Sequence, residues 1–295
     1  MAGQLRVIRR RIRSVQSTMK ITRAMELVSA SRVVRAQQRV AQSLPYCDEI
    51  THALTSVANT EITVSHPLLE PRAEVKAAAV LVVSSDRGLA GPYNSSVLRT
   101  MEELLARLRQ DGVEPKLYVT GRKAVSYLRF RQRPVERSWV GFSDKPSYDD
   151  AKEVADAMLA AFQDHEVDEV HAVYTTFVSI ATQRADARRF IPLVVEETRE
   201  RPPRPIPMYV YEPDAQQVLD ALLPRYIEAR VFTAMLEAAA SEHAARRKAM
   251  SAATDNAEEL IEDYTREYNQ ARQAEITQEI MEIVGGAEAL RSNGS

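Results

Sequence analysis

The sequence predicts an α/β domain joined to a long antiparallel coiled coil made by its own N- and C-terminal helices. Three observations predict it. Residues 3–44 and roughly 213–290 are nearly free of glycine and carry apolar residues at helical spacing. The roughly 170 residues between them alternate short apolar runs with amphipathic segments. The two ends also carry opposite charge. Residues 1–40 hold ten basic residues against the single acid Glu26, a net of +9. Residues 254–290 hold ten acids against Arg266 and Arg272, a net of −8. Exposed ion pairs contribute only about 0–1 kcal/mol each. Apolar burial, at roughly 25 cal/mol per Å2, therefore holds such a pair together, and charge selects its antiparallel direction.

The N-terminal helix shows a seam of alternating three and four spacing. It runs through Leu5, Ile8, Ile12, Val15, Met19, Thr22, Glu26, Ser29, Val33, Ala36 and Val40. A 3.5-residue period wraps helices left-handedly. The seam turns polar at Thr22, Glu26 and Ser29, while Met25, Leu27 and Val28 lie off it. Two readings stand: a local drift of the stripe, or a stretch that faces a second partner outside the hairpin. Pro45 lacks a backbone N–H, so it is expected to kink or end this helix.

Residues 60–76, with Pro67 and Pro71, read as a connector. Ala77–Val83 is a continuous apolar run of the buried-strand kind. The turn Ser84–Gly91 follows, then a helix with Val97, Leu98, Met101, Leu104, Leu105 and Leu108 on one face. Asp111-Gly112 ends that helix, and Lys116–Thr120 reads as a second strand. A short helix spans Arg122–Phe130, a strand is expected around Val135–Val140, and Tyr148–Phe162 is helical. Asp168–Ser179 and Ala187–Glu196 read as strands. Strands alternating with helices imply a largely parallel sheet in a Rossmann-like α/β domain. Arg201–Pro207 is proline-rich and reads as a stiff joint, and Met208–Tyr211 as a last edge strand. The expected divisions are 1–59 for the first helix, 60–210 for the α/β domain, 211–290 for the last helix and 291–295 for a disordered tail.

The C-terminal helix is rich in alanine, which favours helix and close approach of a neighbour. Pro224 marks an expected kink in its first turns, and Gly285-Gly286 an expected fray or cap. At about 1.5 Å per residue this helix reaches on the order of 110 Å, against roughly 60 Å or more for the first. It is expected to overshoot its partner, leaving Ile276, Ile280, Ile283, Val284, Ala287 and Leu290 as an apolar stripe in need of another surface.

Composition excludes several classes. The chain has 295 residues, 45% hydrophobic and 27% charged, with a net charge of −2. Cys47 is the only cysteine, so no intrachain disulfide is possible. The longest apolar run, Ala77–Val83, is far short of the roughly 20 residues a spanning helix needs. The Arg-rich start also has the texture of a mitochondrial presequence, but its apolar spacing continues unbroken, so Met1 reads as the mature start of a bacterial chain. Gly88 and Gly91 resemble part of a nucleotide loop, yet G-x-G-x-x-G is incomplete and no Walker Lys-Ser/Thr follows. The five histidines are scattered, so no metal set is expected. The paired acids Asp149-Asp150 and Glu196-Glu197 read as solvated surface. No catalytic constellation, cofactor or metal site is expected. The basic runs Arg9–Arg11 and Arg246–Lys248 could contact nucleic acid, but an acidic helix is available within the chain.

Specific motifs then enter. Lys20–Arg32 closely resembles the N-terminal helix of the gamma subunit of F-type ATP synthases. Leu81–Gly91 resembles that family's central-domain turn. Ser241–Arg246, Ala249–Asn256 and Tyr268–Ile280 resemble its C-terminal helix. They occur in family order and bracket nearly the whole chain, with weak likeness from about residue 130 to 165. Ala90 stands where many relatives have Cys, and Pro92 where Gly is frequent. The inserted cysteine pair of the chloroplast form is missing, so thiol switching of that kind is not expected.

The resemblance implies a non-catalytic central stalk inside a ring of three alpha and three beta subunits. Its foot would rest on the membrane c-ring beside the epsilon subunit, at the cytoplasmic face of the bacterial cell membrane, without a span of its own. The resemblance places Arg23 and Met25, with Lys20 as a lesser candidate, against an acidic loop of a beta subunit. It places Arg272, Gln273, Thr277 and Glu279 at the beta-subunit catch region. Ile276, Ile280, Ile283 and Val284 would ride in an apolar bearing, and Tyr211 and Glu212 would touch the c-ring. Ordinary hairpin packing is the alternative for each. Two other functions stay open on the residues alone: a static coiled-coil scaffold and an α/β nucleotide-binding enzyme.

Overall fold

The computed structural model describes residues 2–58, 66, 68–69, 72, 74–193 and 214–292. Two helices bound the chain: α1 (Ala2–Ala58) and α5 (Ala215–Ser292). Between them lie β1 (Ala77–Val83), α2 (Tyr93–Gln110), β2 (Glu114–Thr120), α3 (Arg122–Phe130), β3 (Arg137–Trp139), α4 (Tyr148–Gln163), β4 (Glu169–Phe177) and β5 (Gln183–Ile191). The chain forms two compact units, one within Met1–Val28 and Arg247–Ser295, the other Ser29–Arg246.

In the larger unit the strands form one sheet in the order β3-β2-β1-β4-β5. The pairs β1–β2, β1–β4 and β2–β3 are parallel, and β5 is antiparallel to β4. The apolar run of β1 is explained by its central place, since both faces are covered. Ala79, Leu81 and Val83 join α4 and the first part of α5 in one core, with Phe162, Leu223 and Ile227. Ala78, Val80 and Val82 join α2 and α3 in the other, with Met101, Leu105 and Leu128. Ser147 and Asp150 form a capping box that starts α4, satisfying donors the first turn leaves free. Gly112, at φ +78, follows α2, where a Cβ would be strained.

The prolines do not end their helices. Both Pro45 and Pro224 lie inside helix. An interior proline costs about 3 kcal/mol or more. Beyond Pro45, Ile50 and Leu54 are buried in the core shared with α5, and each such side chain contributes roughly 1.5–3 kcal/mol. Burial therefore outweighs the local penalty. Helix α5 also runs through Gly285-Gly286 and includes Arg291 and Ser292. Glycine costs only about 1 kcal/mol in a helix, and Ala287, Ala289 and Leu290 follow as good helix formers. The expected joint 201–207 and edge strand 208–211 lie outside the described residues.

In the smaller unit the two helix segments run antiparallel. Arg9 Nη2 donates to Tyr268 Oη, Arg11 lies over the Tyr264 ring, Thr22 meets Thr254 and Arg23 meets Glu258. Rising numbers on one helix face falling numbers on the other. Ile8 and Thr22 are buried on the seam, and Leu5, Ile12, Val15 and Met19 are half-buried. The opposite charges act differently from simple pairing. Arg9 and Arg11 rest on tyrosine rings, with guanidinium-to-centroid distances of 5.4 and 5.9 Å, and the Arg23–Glu258 pair is exposed at 67% and 52%. Such contacts are weak, so the seam carries the association.

Candidate functional site

The sheet has a topological switch point between β1 and β4, because β2 and β3 lie to one side of β1 and β4 to the other. Open α/β sheets bind ligands in the crevice beyond the strand carboxyl ends at that point. Here the crevice is filled by α5. Ser241 Oγ donates to the Thr175 carbonyl at the end of β4, at 3.2 Å. The Arg246 guanidinium donates to the Gly88 carbonyl beyond β1, at 3.3 and 3.4 Å. It also pairs with Glu242 at 2.6 Å, where the two side chains are 8% and 1% exposed. Ala245 packs on Ala90 and Tyr93. Burial raises the Glu242 carboxyl against the opposing pull of Arg246. Burial also raises the Tyr93 hydroxyl, with Glu242 adding to it.

The turn after β1 is likewise satisfied by its own chain. Asp86 accepts from the backbone N–H groups of Arg122, Gly141 and Ser143, at 3.1, 2.8 and 3.1 Å. A carboxylate thus occupies donors of the kind a phosphate would need. Ser84 Oγ donates to the Thr120 carbonyl and accepts from Ala124 N–H. Gly121, at φ +91, lies so close that a Cβ there would sit 2.3 Å from the Ser84 backbone carbonyl oxygen. Among the described residues no group of three or more His, Cys, Asp or Glu could hold a metal ion. No helix among them is long and apolar enough to cross a membrane.

The sequence-named residues fall as follows. Lys20 is exposed, Arg23 pairs with Glu258 at 3.6 Å and Met25 is half-buried. In the polar stretch of the seam, Thr22 Oγ1 and Thr254 Oγ1 lie 2.8 Å apart in a buried contact. Ile21, Leu27 and Val28 are 58%, 66% and 53% exposed, so packing within the chain leaves them open. Arg272, Gln273, Thr277 and Glu279 are all exposed. Ile276, Ile280, Ile283 and Val284 are 44% to 72% exposed. Gln4, near the start of α1, lies with Glu267, Gln270, Ala271 and Ala274 around one shallow cavity, so α5 continues past its partner. The two contact groups are not brought together. Glu258 faces Arg23, and Arg272 lies about 21 Å farther along α5 at 1.5 Å per residue. Tyr211 and Glu212 lie outside the described residues.

Sequence reading missed the closed crevice. It found Leu81–Gly91 and Ser241–Arg246 as separate motifs. Their shared purpose, one motif plugging the other's site, is a tertiary contact between positions 88 and 246. The available signal was the Glu242/Arg246 spacing, opposite charges one helical turn apart beside an alanine-rich face.

Fold and site thus define a class: a helical pair with a Rossmann-like domain whose ligand crevice is closed by its own C-terminal helix. The family model described as ATP synthase matches residues 4–290. The ATP synthase gamma chain of Acidothermus cellulolyticus is 60% identical over 100% of both chains. That of Parafrankia sp. is 56% identical over 99% of each. The chain belongs to the ATP synthase gamma chain family. Its fold is similar to a chain of the Euglena gracilis mitochondrial ATP synthase OSCP/F1/c-ring structure, with TM-score 0.69, 17% identity and coverage of 100% and 97%. It is also similar to one in the central stalk/c-ring structure of the Tetrahymena thermophila enzyme, with TM-score 0.58, 21% identity and coverage of 79% and 99%.

Proposed function

We propose that the chain is the central-stalk rotor of an F-type proton-translocating ATP synthase and couples c-ring rotation to conformational change at beta-subunit catalytic sites. Its partners are three alpha and three beta subunits, the epsilon subunit and the membrane c-ring, at the cytoplasmic face of the cell membrane. It carries no catalytic site of its own. One observation carries this reading: the helical pair leaves apolar side chains open on α1, at Ile21, Leu27 and Val28, and along the end of α5. Exposed apolar patches of this kind mark contact surfaces.

The mechanism follows from symmetry. A ring of three-fold symmetry around an asymmetric pair of unlike helices presents each beta subunit with a different surface. A shaft changes nucleotide affinity only through contacts that differ between a site's conformations. Turning it carries those contacts around the ring. Lys20, Arg23 and Met25 meet the lower edge of a beta subunit, and Arg272, Gln273, Thr277 and Glu279 its catch region. Ile276, Ile280, Ile283 and Val284 ride in an apolar bearing that offers few directional bonds to break. Tyr211 and Glu212 form the c-ring contact. The closed crevice favours this over a nucleotide-binding enzyme, because Arg246 and Asp86 already use the groups such a ligand would need.

The test is a reversible disulfide between Met25→Cys and a cysteine introduced in a beta subunit of the assembled enzyme. Oxidation is expected to stop turnover and reduction to restore it. Undiminished turnover with complete cross-linking would leave a static scaffold.

A further inference from the structure

The larger unit has a half-open cavity of about 340 Å3 between α1, the turn before α4 and α5. Arg32, Arg35 and Arg39 line it from α1, Lys145 from the turn, and Ala36, Leu236 and Ala239 form an apolar floor. The three arginines and Ala36 are spaced by three and four residues, so they share one helix face. Asp144 is the lining carboxylate, so the four permanent cations leave a net excess of three positive charges.

The cations are incompletely used. Arg32 Nη1 pairs with Asp144 at 3.0 Å. Arg39 donates to the Pro146 carbonyl, an uncharged acceptor. Among the described residues the Arg35 side chain has no hydrogen-bond or ion-pair partner, and Lys145 is engaged only through its backbone N–H. His243 is not a fifth cation: its Nε2 lies 3.1 Å from the Asp144 carbonyl, and burial lowers its pKa. The Asp144–His243 contact fixes the turn against α5, so the cluster is held by built structure.

We propose that this cavity binds a phosphate-bearing small anion of two or more negative charges, its phosphates on Arg35, Arg39 and Lys145. Arginine forks match phosphate oxygens in bidentate geometry. A single carboxylate would leave most of the excess charge uncompensated. The volume lies in the range of small-molecule pockets, and the apolar floor suits an uncharged portion such as a nucleoside. The site is distinct from the rotor contacts and does not depend on them.

The test is calorimetric titration of the purified full chain with pyrophosphate and with ADP at low ionic strength. Saturable binding is expected, weakened about tenfold or more by Arg35→Glu and unchanged by Arg10→Glu, an exposed cation in the other unit. Thermal unfolding checks that Arg35→Glu remains folded. Tighter binding of ADP assigns the floor to the nucleoside; equal binding assigns the site to phosphate alone, and either supports the proposal. No binding, equal losses in both variants, or displacement by poly-glutamate as effective as by pyrophosphate would overturn it.

Discussion

Replacing Arg246 by alanine removes the guanidinium that links Glu242 to the Gly88 carbonyl. The Glu242 side chain is 1% exposed and its contact with Arg246 is 2.6 Å, so the stranded carboxylate loses its counter-charge and keeps only the Ser143 hydroxyl. Breaking a buried pair in this way costs about 3–5 kcal/mol. The Gly88 carbonyl adds little, because Gly88 is half-exposed and water can replace the lost donor. For a unit of this size each kcal/mol moves the melting midpoint by roughly 2–4 °C, so a fall of about 6–20 °C is expected. The double variant Glu242→Gln/Arg246→Met removes both charges together and is expected to recover most of the loss. Urea unfolding of the full chain, followed by circular dichroism, measures both. A loss under about 1 kcal/mol for Arg246→Ala, or a double variant as unstable as the single, would refute the view that Arg246 neutralises a buried acid.

Three further outcomes follow from the same reasoning. Asp168 accepts from the backbone of Lys76 and Ala77 and from Arg72, at 2.7, 3.1 and 2.6 Å; burial alone would raise its pKa, but these bonds together lower it. Its stabilisation is therefore present above the ordinary carboxylate value of about 3.9 and is lost as pH falls through the folded value. Asp168→Asn is expected to lose about 1.5–3 kcal/mol at neutral pH and to converge with the parent in acid, measured by denaturant titration across pH. Glu237 is raised by burial against Arg188 and Arg230, and its Oε2 has no partner among the described residues. Its contribution is present at low pH and lost as pH rises through the folded value, so Glu237→Gln is expected to flatten that decline; a parallel pH profile would count against it. Deleting 276–295 is expected to leave thermal stability unchanged, since Ile276, Ile280, Met281, Ile283 and Val284 are exposed. A loss of more than about 1 kcal/mol would mean that the end of α5 is packed within the chain.

Much was legible in residue order. The seam from Leu5 to Val40 named the buried face of α1 because a helix repeats every 3.6 residues whatever surrounds it. The run Ala77–Val83 announced a central strand because only a strand covered on both faces can be apolar throughout. That α1 continues past Pro45 was not legible, because the cost of proline is local while the burial that offsets it comes from residues far away in the chain. The strand expected from Ala187 begins at Gln183, where Gln183, Arg184 and Arg188 give an edge strand little apolar signal.

The sequence by itself determined the helical pair, its antiparallel direction, the α/β layer and the overshooting apolar end, since each rests on periodicity or charge along one segment. Only the tertiary structure decided that α5 closes the crevice between β1 and β4, and that Arg32, Arg35, Arg39 and Lys145 share one cavity. Those facts depend on which distant residues meet, and no period along the chain encodes a meeting between positions 88 and 246.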